Sequence, residues 1–338
     1  MKKITLSVAF GLLLGFAGSF TAKADSVVVP EFRTDAGWTT LVTVIDTYAS
    51  TAGIHWMYRW DDPLTPVNEC GHTDAVGATT PNDMGTINIA TPPVGFGNTP
   101  AMFGDATTTG LTLGPGFKGL LTLYNFSGTY NQALMSGTFD GPEDSLEAVV
   151  HEINFVTGEV QTIRAPNDTA ATGEGNLDDL AYGAWPAPAG GQFFGVVAPN
   201  AQDVLAQPKA SWLPTGIVST SWEVIVLTPN TAFDVPPANS VTLSLGGTGG
   251  VPVVYDIDEN PLSGVVQVTV DCFGKLTLAD FLTPLNLSLV ANGGWAYINM
   301  VAPTAYLTDV GILVYKEETA TIAGRVTTQK SSANRVDF

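Results

Sequence analysis

The chain has 338 residues and a formal net charge of −19, with 13% charged side chains against 45% hydrophobic ones. Such an acidic chain repels nucleic acid and anionic membranes, which excludes polyphosphate ligands as its main partners; divalent cations and neutral ligands stay compatible with it. Globular domains carry about 25% charged residues, so the acidity here reflects scarce Lys and Arg, and the apolar content suffices for a large core.

In chain order the first feature is an export signal over residues 1–24. Lys2 and Lys3 open it, Ile4 to Phe20 form its apolar middle, and Ala22-Lys23-Ala24 supplies the small-x-small cleavage site. The mature chain is expected to begin at Asp25. The leader holds three lysines and no acid, so cleavage takes the net charge from −19 to −22. It also removes the one long apolar run, so no integral membrane segment is expected afterwards, and no Cys at the junction suggests a lipid anchor.

Beyond the leader, short alternating runs rich in Val, Ile, Thr and aromatics recur between Gly, Pro, Asn and Asp. They are Trp38 to Ile45, Ile54 to Trp60, Gly119 to Tyr124, Leu146 to Phe155, Val160 to Arg164, Trp222 to Leu227, Val241 to Leu245, Val265 to Val270, Leu285 to Val290, Trp295 to Val301 and Val310 to Tyr315. The pattern predicts an all-β, antiparallel β-sandwich fold, as one or two packed sandwich units with long loops. Short helices are expected at Ala201 to Ala206 and Leu276 to Leu282, the latter halted before Pro284. Three strands open on a tryptophan (Trp38, Trp222, Trp295), and their unequal spacing excludes a regular propeller or solenoid. The stretches Ala90 to Gly116 and Ala165 to Gly191 read as loops. The second suggests a boundary near Pro186 to Gly191, between an N-terminal region, 25–185, and a C-terminal region, 192–338. Cys70 and Cys272, the only cysteines of an exported chain, are expected to form a disulfide that unites the two.

The segment VVVPEFRTDAGWTTLVTVID, Val27 to Asp46, resembles the start of a broad group of uncharacterised secreted bacterial β-sandwich proteins. In these an apolar run, a Pro and an aromatic precede a Gly-Trp pair that opens a Thr-rich strand. HWMYRW, NECGHTD and the TTPND of Thr79 to Asp83 extend the resemblance over about the first 90 residues. It implies an envelope or extracellular β-protein and carries no catalytic motif. Asp46 stands where such strands often end in Asn.

Signatures of hydrolase elbows, zinc helices, P-loops, dinucleotide folds and c-type haem are missing. His151-Glu152 comes nearest to a zinc motif, but Phe155 stands at the second His position and the run reads as a strand. Cys70-Gly71-His72-Thr73-Asp74 offers a metal set if Cys70 is reduced, and a disulfide-anchored turn otherwise. Asp256, Asp258 and Asn260 match the opening of a Ca²⁺ loop, followed by Pro261 where the loop needs Gly. In a strand, Trp56, Tyr58 and Trp60 share one face and His55, Met57 and Arg59 the other. The aromatic face suits either a core or a platform for sugar rings, with Asp61 and Asp62 beside it. The pairs Glu143/Asp144 and Asp178/Asp179 are the carboxylates a glycosidase reading would use, though adjacency in sequence says nothing of spatial separation.

An outer-membrane barrel is a further alternative, weakened by the polar face Lys330, Ser332, Asn334, Val336 of the closing segment and by frequent Pro. The expectation is therefore an exported, non-catalytic structural or adhesive protein of the cell surface or extracellular matrix, with the periplasm as another location. It would associate with itself or with a polysaccharide. The alternatives are a carbohydrate-binding module on Trp56, Tyr58 and Trp60, an outer-membrane barrel and a secreted hydrolase, with no cofactor beyond a Ca²⁺ ion at Asp256.

Overall fold

The structure, a computed structural model, describes residues 26–35, 37–47, 52–61, 70–90, 101–103, 112–126, 146–165, 182–184, 208–227, 240–247, 251–301, 310–322 and 325–333. The export signal, the 201–206 helix, the 186–191 boundary, Asp62, Glu143, Asp144, Asp178 and Asp179 lie outside the described residues.

The first half contributes β1 (Ser26–Arg33), β2 (Trp38–Asp46), β3 (Ala52–Asp61), β4 (Cys70–Thr79), β5 (Asp83–Asn88), β6 (Ala101–Phe103), β7 (Lys118–Phe126), β8 (Leu146–Asn154) and β9 (Glu159–Arg164). These form two antiparallel sheets, ordered β1-β7-β3-β4 and β6-β5-β2-β8-β9. Period-two alternation sends Val42 and Val44 of β2, Ile54, Trp56 and Tyr58 of β3, Leu121 and Leu123 of β7, and Ala148 and Val150 of β8 into one core. Phe32 of β1 meets Tyr58 edge-to-face at 5.0 Å. The TTPND segment turns the chain from β4 into β5: Asp83 accepts a bond from the Thr80 amide at 2.9 Å, and Asn82 takes the left-handed conformation, φ 54°.

The second half contributes β10 (Tyr182–Ala184), β11 (Lys209–Trp212), β12 (Val218–Leu227), β13 (Ser240–Gly246), β14 (Val254–Asp256), β15 (Pro261–Leu262), β16 (Val268–Asp271), β17 (Phe273–Thr277), α1 (Leu278–Phe281), α2 (Pro284–Leu289), β18 (Gly294–Met300), β19 (Val310–Ile322) and β20 (Arg325–Ser332). One sheet runs β10-β19-β12-β17 with β20 also on β19, and the other runs β15-β14-β18-β13-β16 with β11 also on β18. Their shared core contains Trp212, Trp222, Val224, Val226, Leu243, Leu245, Ile298, Val314 and Phe281, and shares no residue with the first. Two sandwiches, each with its own interior, make an all-β protein.

Three expectations change. The described strands form open sheets and not a closed barrel, so the outer-membrane barrel is set aside. Leu285 to Val290, read as a strand from its alternating leucines, is the helix α2. Pro284 starts it instead of only stopping α1, the Thr283 side chain caps the Asn286 amide, and Leu285 and Leu289 face solvent. The two long loops carry β6 and β10, and β10 pairs with β19, so the second sandwich takes a strand from before the expected boundary.

Strand β12 is buried on both faces. Trp222, Val224 and Val226 point into its own core, while Glu223 and Ile225 point the other way and are also fully buried. Register places Phe273, Ile225 and Leu313 in one row on that outer face and Lys275, Glu223 and Tyr315 in the next. Glu317, paired with Lys330 of β20, lies in a third. The first sandwich lies against this face: β17 packs on β3, β20 on β9, and Lys118 of β7 sits 5.7 Å from the Phe273 ring centre.

Trp56→Ala is expected to destabilise the protein by about 3–5 kcal/mol in denaturant unfolding, because the ring is fully enclosed in the first core. A change within about 0.5 kcal/mol, the ordinary range for surface substitutions, would place the ring on a solvent face.

Candidate functional site

The densest ionisable chemistry among the described residues lies where the sandwiches meet. Glu31 on β1 and Glu152 on β8 come from the first sandwich, and Glu223 on β12 and Glu317 on β19 from the second. Glu31, Glu152 and Glu223 are fully buried, and Glu317 nearly so. The Lys330 ammonium from β20 sits among them with its side chain only 1% exposed. It contacts Glu31 Oε2, lies 3.1 Å from both Glu152 Oε2 and Glu223 Oε2, and 3.7 Å from Glu317 Oε2. Two further lysines close the rim: Lys118 reaches Glu31 Oε1 at 2.6 Å, and Lys275 reaches Glu317 Oε1 at 2.5 Å and Glu223 Oε1 at 3.8 Å.

Local backbone geometry explains how Glu31 gets there. The β1/β7 register shifts between Val29 and Phe32, and this irregularity lets Val29 and Phe32 both enter the core while Glu31 turns to the rim. At the same end of the sandwich Arg33 lies 4.1 Å over the Trp38 ring and forms a two-pronged pair with Asp35 at 3.0 and 3.1 Å. Glu152 lies opposite Thr40 on β2, on the inward side of β8 beyond Val150.

Burial disfavours charge on Glu152, Glu223 and Lys330. It pushes Glu152 up to about 8 and Glu223 well above the carboxylate range, and it pulls Lys330 well below the usual lysine value. Glu152 Oε1 is buried without a hydrogen-bond partner among the described residues, consistent with a protonated acid there. Oxygens of Glu31, Glu223 and Glu317 lie within 4.8 Å of one another, close enough to hold a metal ion. The Lys330 ammonium contacts all three, so the chain supplies its own cation at that point.

The residues singled out by sequence fall elsewhere. Trp56 and Tyr58 are fully buried in the first core, so they offer no platform to a sugar. Trp60 packs at 4.9 Å on Phe117, and Gly71 opposite it leaves no room for a Cβ beside its indole. The opposite face, His55, Met57 and Arg59, is equally buried, and His55 Nε2 lies 3.1 Å from Asp74. Both faces of β3 are thus covered. His151 lies on the strand β8, where the helical spacing of a zinc motif does not apply, and its Nδ1 sits 2.9 Å from the Thr162 hydroxyl. Cys272 is fully buried in a left-handed conformation, φ 57°, between β16 and β17, while Cys70 opens β4 with its side chain outside the described residues. Asp256 Oδ1 accepts from the Asp258 and Asn260 amides at 2.9 and 2.8 Å, and its Oδ2 accepts from Asn260 Nδ2 at 2.9 Å. The Asn260 side-chain bond holds the Asp256 carboxyl below its usual range.

The charge cluster was missed from sequence, although one signal existed. In WEVIVL, Glu223 and Ile225 alternate with Trp222, Val224 and Val226, so apolar residues occupy both parities and Glu223 must share a buried face with Ile225. Lys330, inside TTQKSS, carries no such mark. Compared with protein-family models, curated proteins and solved structures, the chain matches none.

The folded protein retains the Glu152 proton to about pH 8, whereas the unfolded chain releases it near 4.5. Stability from this proton is therefore full below about pH 4.5 and declines as pH rises toward 8, by at most about 1.4 kcal/mol per unit. The lowered Lys330 value acts with the opposite sign, between its folded value and 10.5. Denaturant unfolding is expected to show falling stability between about pH 5 and pH 7. Glu152→Gln, neutral at every pH, should flatten that slope; an unchanged slope would assign it to another group.

Proposed function

We propose that the chain is an exported, non-catalytic structural or adhesive protein of the cell surface or extracellular matrix. The observation that carries this reading is the junction: two sandwiches joined over a face whose glutamates and Lys330 side chain are buried, with Lys118 and Lys275 at the rim, making one two-sandwich unit. A cluster with Glu31, Glu152 and Glu223 at zero exposure is built to hold the halves together. The leader-like residues 2–24 support export, and the resemblance of Val27 to Asp46 to secreted bacterial β-sandwich proteins supports the envelope or its exterior.

A Cys70 to Cys272 disulfide belongs to the same reading. Lys118 precedes Gly119, which pairs with Trp60, and the next residue, Asp61, pairs with Cys70. Phe273, next to Cys272, lies against Lys118, so both cysteines belong to one region of the junction.

A second reading, carbohydrate binding, is supported at a different place from the Trp56 strand. On the outer face of the second sandwich, Tyr255 of β14 stacks on Trp295 of β18 at 4.6 Å and 16°, and Tyr297 meets Trp295 edge-on at 5.7 Å. Trp295 is 36% exposed, with exposed Ile257 and Val251 on the adjoining chain.

Fractionation of native cells tests the first reading. Recovery of the mature protein in large surface or medium assemblies is the expected result, and recovery as a soluble periplasmic monomer would overturn it. In the second case the isolated monomer is expected to bind an insoluble polysaccharide and Trp295→Ala to abolish that binding at unchanged fold; equal binding by the variant would remove the Trp295 face from consideration.

A further inference from the structure

We propose that Lys330 and Glu31 become joined by an amide bond between Nζ and Cδ, a cross-link from the first strand of the first sandwich to the last strand of the second. Of the four carboxylates around Lys330, that of Glu31 is the nearest to Nζ. Its other oxygen, Oε1, is held at 2.6 Å by the Lys118 ammonium, and Glu152 and Glu223 flank Nζ at 3.1 Å each. Nucleophile, acyl group, a cation on the acyl oxygen and two flanking acids are thus assembled in one sealed place.

An ordinary salt bridge does not condense, because an ammonium has no lone pair and a carboxylate is a poor electrophile. Here burial favours the neutral forms: it lowers Lys330 and raises Glu152 and Glu223. Transfer of one proton from Lys330 Nζ to Glu31 Oε2 gives an amine facing a carboxylic acid. The Nζ lone pair then forms the C–N bond at Cδ, and the Lys118 ammonium stabilises the negative charge that develops on Oε1. Glu152 gives its proton to the Oε2 hydroxyl, which leaves as water when the C–O bond breaks, and it recovers a proton from Nζ. Ammonium and carboxylate go in; one amide and one water come out. Glu152 ends as it began, and no oxidant, nucleotide or other reactant is consumed.

Two physical factors drive the step in this direction. Fixed contact between the groups supplies effective molarities of about 10⁵–10⁸ M, against which the free reaction in water has none. Exclusion of solvent also denies the bond the water that would hydrolyse it: Glu31, Glu152 and Glu223 are wholly buried and the Lys330 side chain is 1% exposed. Condensation also removes one buried positive and one buried negative charge, relieving the desolvation cost of both. Each partner comes from a different sandwich, so the reaction can occur only after the two have docked.

The test is the intact mass of the mature protein, purified from native cells, reduced and denatured. The expected mass is lower than that of the sequence by one water. Trypsin should fail to cut after Lys330, and one branched peptide should contain both Glu31 and Lys330. The unmodified mass, with normal cleavage after Lys330, overturns the proposal, and a branch at Glu152, Glu223 or Glu317 overturns the assignment to Glu31. Because wild-type protein gives the answer, the result does not depend on the folding of any variant. Lys330→Arg, which keeps the charge and cannot form this bond, should show the full mass. Glu152→Gln should slow the loss of water several-fold, read as a mixture of both masses in freshly made protein.

Discussion

Four glutamates and one lysine, drawn from both sandwiches, meet at a point closed to water, and the relation between the two halves depends on that meeting. Moving a single ion from water into a protein interior costs several kcal/mol even after relaxation, and its partners repay this only when their geometry is good. Glu31 and Glu152 of the first sandwich and Glu223 and Glu317 of the second converge on Lys330, with Lys118 beside Glu31.

Such an ion cluster is better at specifying an arrangement than at stabilising it. The favourable free energy of the junction comes from its apolar row, Phe273, Ile225 and Leu313, together with Tyr315, all buried on the side of the sheet away from its own core. The ions supply selectivity: any sliding of the sandwiches that parted Lys330 from Glu31, Glu152 or Glu223 would leave a buried charge unpaired, at a cost of about 3–5 kcal/mol. The separation of tasks follows rows of the sheet, apolar residues in the row of Ile225 and charges in those of Glu223 and Glu317.

Much of the fold was legible in the alternation of the strands, because period two is a local property and survives whatever packs outside. What alternation cannot report is which face meets solvent when neither does. Trp56, Tyr58 and Trp60 looked like a choice between core and platform, yet β3 is covered on both sides. The three strand-opening tryptophans show the same limit: Trp222 lies in a core, Trp38 under the Arg33 guanidinium, and Trp295 partly in solvent beside Tyr255. Leu285 to Val290 failed for a different reason. Its alternation was genuine, but Thr283 and Pro284 together start a helix, and Asn286 anchors it by donating to the Ser263 and Gly264 carbonyls. The charge cluster was nearly invisible, since its members are separated by up to nearly the whole chain and only docking of the two sandwiches brings them together.

The numbers of acids and bases in the junction carry a last consequence. Glu31, Glu152, Glu223 and Glu317 face Lys118, Lys275 and Lys330, while Arg33 is matched by Asp35. With every group ionised the set would hold one uncompensated negative charge among buried carboxylates. Retaining one proton makes it neutral, and burial favours that proton on Glu152, pushed up to about 8, and on Glu223, pushed well above the carboxylate range. A neutral sealed set also explains why so acidic a chain tolerates four glutamates at its centre: its excess negative charge is left to surfaces where water and counterions screen it. The junction thus depends on a proton as much as on its lysines, and loss of that proton would charge the one surface on which the two sandwiches must agree.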